Sequence, residues 1–150
     1  MTKNLLSSAK LGKLTIQNRV FMAPLTRSRA NNPDRIPTDI HAKYYKQRAS
    51  AGLIISEGTV VSPEATGYVN VPGIYTDTQV EAWKKVTQTV HDEGGKIFVQ
   101  LWHVGRMSHP DFHNGNLPPA PSAINPFSAV GTYEGIKRSH SPRAMTLEEI

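Results

Sequence analysis

Cysteine is absent from the 150 residues, which excludes a disulfide framework, a thiolate metal centre and a thiol nucleophile and fits a reducing compartment. No stretch approaches the roughly 18 consecutive apolar residues of a membrane helix, and residues 1–10 hold no apolar core of signal-peptide length. The expected setting is the cytoplasm, with no membrane partner. Basic residues outnumber acidic ones, 17 to 12, for a formal charge of +5, but they do not cluster. The longest basic neighbours are Lys84-Lys85 and Lys137-Arg138, while Arg19, Arg27, Arg29, Arg35, Arg48 and Arg106 are scattered among apolar and turn residues. Without a patch or stripe there is no footprint for nucleic acid. A composition of 38% hydrophobic and 19% charged residues is that of a packed chain and excludes collagen-like, coiled-coil and wholly disordered classes.

What the sequence does contain is a series of short, strongly apolar runs separated by helical patterns. Leu14 and Ile16 alternate with polar neighbours after Gly12, which predicts a short hairpin strand. Val20-Phe21-Met22-Ala23, stopped by Pro24, reads as a strand buried on both sides. Thr38 is a helix N-cap candidate, followed by apolar positions Ile40, Tyr44, Tyr45, Ala49 and Ala51 near helical spacing and a stop at Gly52. Leu53-Ile54-Ile55 is a second doubly buried run, closing on Ser56-Glu57-Gly58. A second helix is predicted from the overlapping capping frames Thr76 to Gln79 and Thr78 to Glu81, with Val80, Trp83, Thr87 and Val90 as its buried stripe and Gly94-Gly95 as its end. Ile97-Phe98-Val99-Gln100-Leu101-Trp102 is the third strand. Its one polar member, Gln100, needs partners, because an unsatisfied buried amide costs about 1–3 kcal/mol.

Strands alternating with helices predict an α/β fold with a parallel sheet, either a (β/α) barrel or an open doubly wound sheet; periodicity does not choose between them. Residues 103–144 show neither period for most of their length and are punctuated by six prolines, so they read as a long loop that is either functional or misassigned. Thr146-Leu147-Glu148-Glu149 is a further capping box and predicts the start of another helix.

In a parallel α/β protein the ligand site lies at the carboxyl ends of the strands. Those ends carry Pro24-Leu25-Thr26, Glu57-Gly58-Thr59 and Gln100-Leu101-Trp102-His103. They offer a hydroxyl, exposed backbone beside a glycine, a carboxamide and a large aromatic ring, a set suited to hydrogen bonding along the edge of a planar heterocycle. There is no nucleophile with a base and no carboxylate pair. His103, His109, His113 and Asp111 match no helical ligand spacing, and no metal site is expected.

Arg19-Val20-Phe21-Met22-Ala23-Pro24-Leu25-Thr26-Arg27, Tyr44-Tyr45 with Gln47-Arg48-Ala49, Gly52-Leu53-Ile54-Ile55-Ser56-Glu57-Gly58, Gly67-Tyr68, Pro72-Gly73 and Gln100-Leu101-Trp102-His103-Val104-Gly105-Arg106 together resemble the old yellow enzyme family of flavin-dependent ene-reductases, which includes the N-ethylmaleimide reductases. The motifs stand in order and at compatible spacing from about Leu11 onward.

The resemblance implies an FMN-binding (β/α)8 TIM barrel opened by a hairpin that caps its bottom, with residues 1–150 supplying about three βα units. It implies that NADPH or NADH reduces FMN and that the flavin passes hydride to the β-carbon of an electrophilic alkene, such as an enone, maleimide or nitro compound. Pro24, Leu25 and Thr26 are then expected to line the flavin, with Thr26 donating to the flavin carbonyl oxygen beside the reactive nitrogen and so tuning its potential. Gly58 is expected to bring backbone close to the ring and Gln100 to pair with the pyrimidine edge. Tyr68 and Trp102 resemble the aromatic residues that shape the substrate pocket. Some relatives carry cysteine where Thr26 stands, so the threonine sides with the yeast-type and enterobacterial reductases.

The family's substrate-anchoring histidine pair, its tyrosine proton donor and its phosphate-binding loops fall beyond Ile150. Since a (β/α)8 barrel takes about 250 residues, the remaining strands are expected from a continuation of the chain or from a second polypeptide, and the 150 residues alone are expected to be inactive. The competing expectation is a non-catalytic interaction module or folding fragment whose exposed barrel edge is the binding surface.

Overall fold

The computed structural model describes residues 4–149; the first three positions of the amino-terminal stretch, and Ile150 after the last capping frame, lie outside them. Strands β1 (Ala9–Leu11) and β2 (Leu14–Ile16) form the expected antiparallel hairpin, with Leu11 opposite Leu14. The next residues fasten it to the start of the central strand. Asn18 Oδ1 accepts the Gly52 N–H at 2.8 Å and Asn18 Nδ2 donates to the Ser50 carbonyl at 2.8 Å. Gly52 is the residue this approach requires, because a Cβ there would lie 2.0 Å from the Asn18 carbonyl oxygen.

Strands β3 (Phe21–Met22), β4 (Leu53–Val60) and β5 (Ile97–Trp102) form a three-stranded parallel sheet in that spatial order. Helix α1 (Asp39–Lys46) connects β3 to β4, and α2 (Asp77–Asp92) connects β4 to β5. The fold is therefore mixed α/β with two βαβ crossovers, and the described residues form no closed barrel. The helices pack together on one face of the sheet, where Tyr45, Ala49, Ile54, Trp83, Val86, Val90 and Ile97 make the main core.

The expectation of three doubly buried strands holds for β4 alone. Val20 and Phe21 are 40% and 46% exposed, and Phe98 and Leu101 are 49% and 63% exposed. β3 and β5 are the outer strands of the sheet, so each has one open edge, and only one face of the sheet is covered by helices.

In α2 the Thr76 frame closes as predicted. Thr76 Oγ1 accepts the Gln79 N–H at 3.3 Å while Gln79 Oε1 accepts the Thr76 N–H at 3.1 Å. The buried stripe differs from the predicted one: Val80 and Thr87 are only partly buried, and Gln79 and Val86 take the buried places. Gln79 is tolerated inside because its amide is fully engaged, accepting also from Tyr75 N–H and donating to the Asp34 carbonyl, each at 2.8 Å.

α1 departs from expectation in the same way. It ends at Lys46, Ala49 and Ala51 follow in turns, Ile40 is 52% exposed, and His41 is buried instead. His41 Nδ1 accepts the Thr38 N–H at 2.9 Å, which satisfies an amino-terminal donor of the helix.

The stretch read as a long loop, functional or misassigned, carries four short strands. β6 (Pro119–Ala120) pairs with β9 (Arg143–Ala144), and β7 (Ala129–Thr132) pairs with β8 (Gly135–Arg138) across a two-residue turn. Two glycines and exposed Ile136 blur the alternation that would have revealed the hairpin. After it, residues Leu147–Glu149 form a 3-10 turn where an α-helix was expected. Glu149 still accepts the Thr146 N–H at 2.8 Å, but its carboxylate is also held by Arg143 at 2.8 and 2.9 Å.

Candidate functional site

The carboxyl end of β4 is the pivot, and a one-residue irregularity decides which side chains it presents. Ile55 pairs with Phe98 but Gly58 pairs with Gln100, so two residues of β4, Ser56 and Glu57, oppose Val99 alone. A bulge of this kind re-aims the residues after it. Ser56 Oγ accepts the Gln100 N–H at 3.1 Å and mends the ladder at the bulge. Glu57 turns toward α1, and Gly58 lies beside Gln100 and Trp102.

Trp102 is the hub of the aromatic side. A Cβ on Gly58 would lie 2.3 Å from Trp102 Cε3, so the glycine leaves room for the indole. The indole also meets Tyr68, with ring centroids 4.9 Å apart at 40°. Tyr68 reaches this position on the loop after β4. The buried hydroxyl of Ser108 donates to the Thr66 carbonyl and contacts His113 Nε2 at 2.8 Å, and so ties that loop to the stretch of residues 103–144. Four of the residues read from the sequence, Gly58, Tyr68, Gln100 and Trp102, are thereby brought together. The Gln100 carboxamide takes no hydrogen-bond partner among the described residues.

Pro24, Leu25 and Thr26 follow β3 as an exposed segment at the same end of the sheet. No bond joins Thr26 to Gln100 among the described residues. The segment is held through its neighbour, because Arg27 N–H donates to Glu57 Oε2 at 3.2 Å.

That carboxylate belongs to a buried polar cluster. Glu57, His41 and Tyr45 are 0%, 2% and 0% exposed. The Tyr45 hydroxyl accepts the Glu57 N–H at 2.7 Å and donates to Glu57 Oε1 at 3.3 Å. His41 Nδ1 is an acceptor, so the neutral ring carries its proton on Nε2, which faces Glu57 Oε1 at 3.9 Å without another partner. Desolvation pushes the Glu57 carboxyl above its ordinary 4.5, opposed by the Arg27 N–H and the Tyr45 hydroxyl, and holds the His41 imidazole below 6.5. Desolvation, with the Glu57 charge adding to it, pushes Tyr45 up as well. A small cavity of about 130 Å³ beside the cluster is lined by Arg27, Arg29, Ile40, His41, Tyr44 and Glu57.

Sequence reasoning missed His41, Tyr45 and Glu57 as a unit. The available signal was a carboxylate at the end of an otherwise apolar strand, which needs buried partners wherever the strand is covered.

The "NADH:flavin oxidoreductase / NADH oxidase family" profile matches residues 4–150. The chain belongs to this family, that of the old yellow enzymes. It is 44% identical over 150 residues to flavin oxidoreductase hxnT of Emericella nidulans, covering 97% of this chain and 38% of the relative. It is 48% identical over 116 residues to 12-oxophytodienoate reductase 1 of Oryza sativa subsp. japonica, covering 76% and 30%. Among solved structures, the old yellow enzyme homologue of Zymomonas mobilis superposes with a TM-score of 0.92 at 50% identity, covering 98% of this chain and 41% of that one. Morphinone reductase in complex with tetrahydroNAD gives 0.89 at 46% identity, covering 99% and 42%. The chain thus spans about two fifths of the old yellow enzyme structures it matches.

Proposed function

We propose that the carboxyl ends of β3, β4 and β5 bind one edge of FMN, and that the whole protein is an NAD(P)H-dependent ene-reductase in which these residues are part of a (β/α)8 barrel. The observation that carries this is the Gln100 carboxamide, without a hydrogen-bond partner among the described residues, beside the Tyr68-Trp102 pair and at the same sheet end as exposed Thr26. A carboxamide offers a donor and an acceptor side by side, which fits a heterocycle edge that alternates the two. Aromatic rings with a few aimed polar groups are the usual lining of a site for a flat ligand.

When bound, FMN supplies the hydride relay from NADPH or NADH to an activated C=C bond. Gln100 is the partner of the pyrimidine edge, Thr26 is the hydroxyl donor that tunes the flavin, and Pro24 and Leu25 line the ring. Gly58 keeps the strand end slim, and Tyr68 and Trp102 border the pocket for an electrophilic alkene. Exposed Phe21, Phe98, Val99 and Leu101 fit burial against the rest of the barrel, whether it continues this chain or is a second polypeptide.

The test is made on purified protein carrying this segment together with the rest of the barrel. It is expected to be yellow, to release FMN on denaturation and to oxidise NADPH with an enone. Gln100→Ala is expected to weaken FMN binding about tenfold or more. Colourless protein that consumes no NADPH overturns the proposal. A cooperatively folded, flavin-free monomer would support the interaction module in its place.

A further inference from the structure

We propose that Glu57, gripped by Tyr45, is a positioning residue that sets the segment Pro24, Leu25 and Thr26 at the cofactor edge. The inference rests on the flavin reading above. Three elements meet at one carboxylate: β4 supplies Glu57, α1 supplies Tyr45, and the loop after β3 supplies the Arg27 N–H at 3.2 Å from Oε2. Arg27 is the residue next to Thr26, and the carboxylate is the only partner of its N–H among the described residues.

A second grip acts on the same residue from the same helix. The Arg27 guanidinium lies 5.3 Å from the Tyr44 ring centroid, and that of Arg48 lies 3.8 Å from it, so the Tyr44 ring attracts two cations. Tyr44 and Tyr45 meet edge to face with centroids 5.2 Å apart. Consecutive tyrosines of α1 thus address Arg27 at both ends, Tyr44 at the guanidinium and Tyr45, through Glu57, at the backbone.

Packing alone does not call for a carboxylate here. A fully buried carboxyl is costly to desolvate, and an apolar residue of similar volume would fill the space between α1 and β4 without that cost. What an apolar residue lacks is an acceptor for the Arg27 N–H, and for the Tyr45 hydroxyl that grips the same carboxylate. The bulge at Ser56 and Glu57 serves the same end, since it turns the carboxyl toward that amide while Gly58 stays beside Gln100.

The experiment uses the FMN-loaded full-length protein that carries this sequence, with two readouts: amide hydrogen exchange of residues 23–29 and the flavin midpoint potential. In Glu57→Ala, exchange of residues 23–29 is expected to rise about tenfold while β5 stays protected, because a hydrogen bond to a buried acceptor is lost. The potential is expected to move in the same direction as in Thr26→Ala, and Glu57→Ala added to Thr26→Ala is expected to move it no further. Glu57→Gln, which keeps an acceptor oxygen, is expected to restore both readouts. If the alanine variant does not fold, Tyr45→Phe keeps the ring in the core and is expected to speed the same exchange; no acceleration there overturns the proposal. Unchanged exchange in Glu57→Ala overturns it, and so does a wild-type potential in Glu57→Ala when Thr26→Ala has shifted. A wild-type potential in Thr26→Ala itself refutes the flavin placement, and the anchoring is then judged by exchange alone, upheld by acceleration and refuted by its absence.

Discussion

Gly58→Ala tests the site at its tightest contact. The added Cβ would stand 2.3 Å from Trp102 Cε3, 2.8 Å from Cδ2 and 3.0 Å from Cζ3, whereas ordinary contact begins at 3.4 Å. The indole must therefore retreat by 3.4 − 2.3 = 1.1 Å or more, and it cannot do so freely, because it also meets the Tyr68 ring, centroids 4.9 Å apart, and packs against the cluster of Val60, Ala65 and Val71. Overpacking of this size costs about 1–3 kcal/mol, and the aromatic pair contributes about 0.5–1.5 kcal/mol that the displacement forfeits. Alanine recovers about 0.5 kcal/mol of the backbone freedom that glycine loses in a strand. The net expectation is a loss of about 2–3 kcal/mol, measured by urea titration followed by far-ultraviolet circular dichroism. Repeating the substitution in a Trp102→Leu background separates the collision from any effect of alanine itself. With the indole gone the three atoms nearest the Cβ are removed, and Gly58→Ala is expected to cost less than about 0.5 kcal/mol, a coupling of at least about 1.5 kcal/mol. Additive behaviour of the two substitutions would refute the account of Gly58 as the residue that leaves room for Trp102.

Three further outcomes follow from the buried polar groups. Glu57 titrates above 4.5 in the folded protein, so wild-type stability falls as pH rises from 4.5 through the raised value, and Glu57→Gln lacks that loss. Urea midpoints measured upward from pH 4.5 are expected to shift in the variant's favour and then level off; a pH-independent difference would show that the carboxyl is not held above its ordinary range. His41, held below 6.5, gives the opposite slope: stability is lost as pH falls below 6.5, and His41→Gln is expected to lose less over that window. Gln79→Leu keeps the volume but strands the Tyr75 and Thr76 N–H groups and the Asp34 carbonyl, and is expected to cost about 2–4 kcal/mol in the same titration; a neutral result would mean that these groups find water.

The three strands of the parallel sheet, the two crossovers and the amino-terminal hairpin were legible because each rests on a local rule: apolar runs bounded by glycine or proline, a capping frame at Thr76, alternation at Leu14 and Ile16. Polar residues were misplaced where a tertiary partner overrides that rule. Gln79 and His41 are hydrophilic by type and buried in fact, because the first bonds Tyr75, Thr76 and Asp34 and the second bonds Thr38, and no periodicity rewards such positions. The carboxyl end of β4 shows the deeper limit. Strict alternation from Ile54, which packs into the core beneath the helices, would send Glu57 to the opposite face and bring Gly58 under α1. The extra residue at Ser56 and Glu57 reverses both placements, yet Ser56-Glu57-Gly58 contains nothing that marks a bulge in advance. Its cause lies across the sheet and across the helix layer, in the Gln100 N–H that Ser56 Oγ accepts and the Tyr45 hydroxyl that meets the Glu57 backbone. One inserted residue therefore places a carboxyl under the Arg27 amide and a bare backbone under an indole, and the same residue joins the loop carrying Thr26 to the strand carrying Gly58.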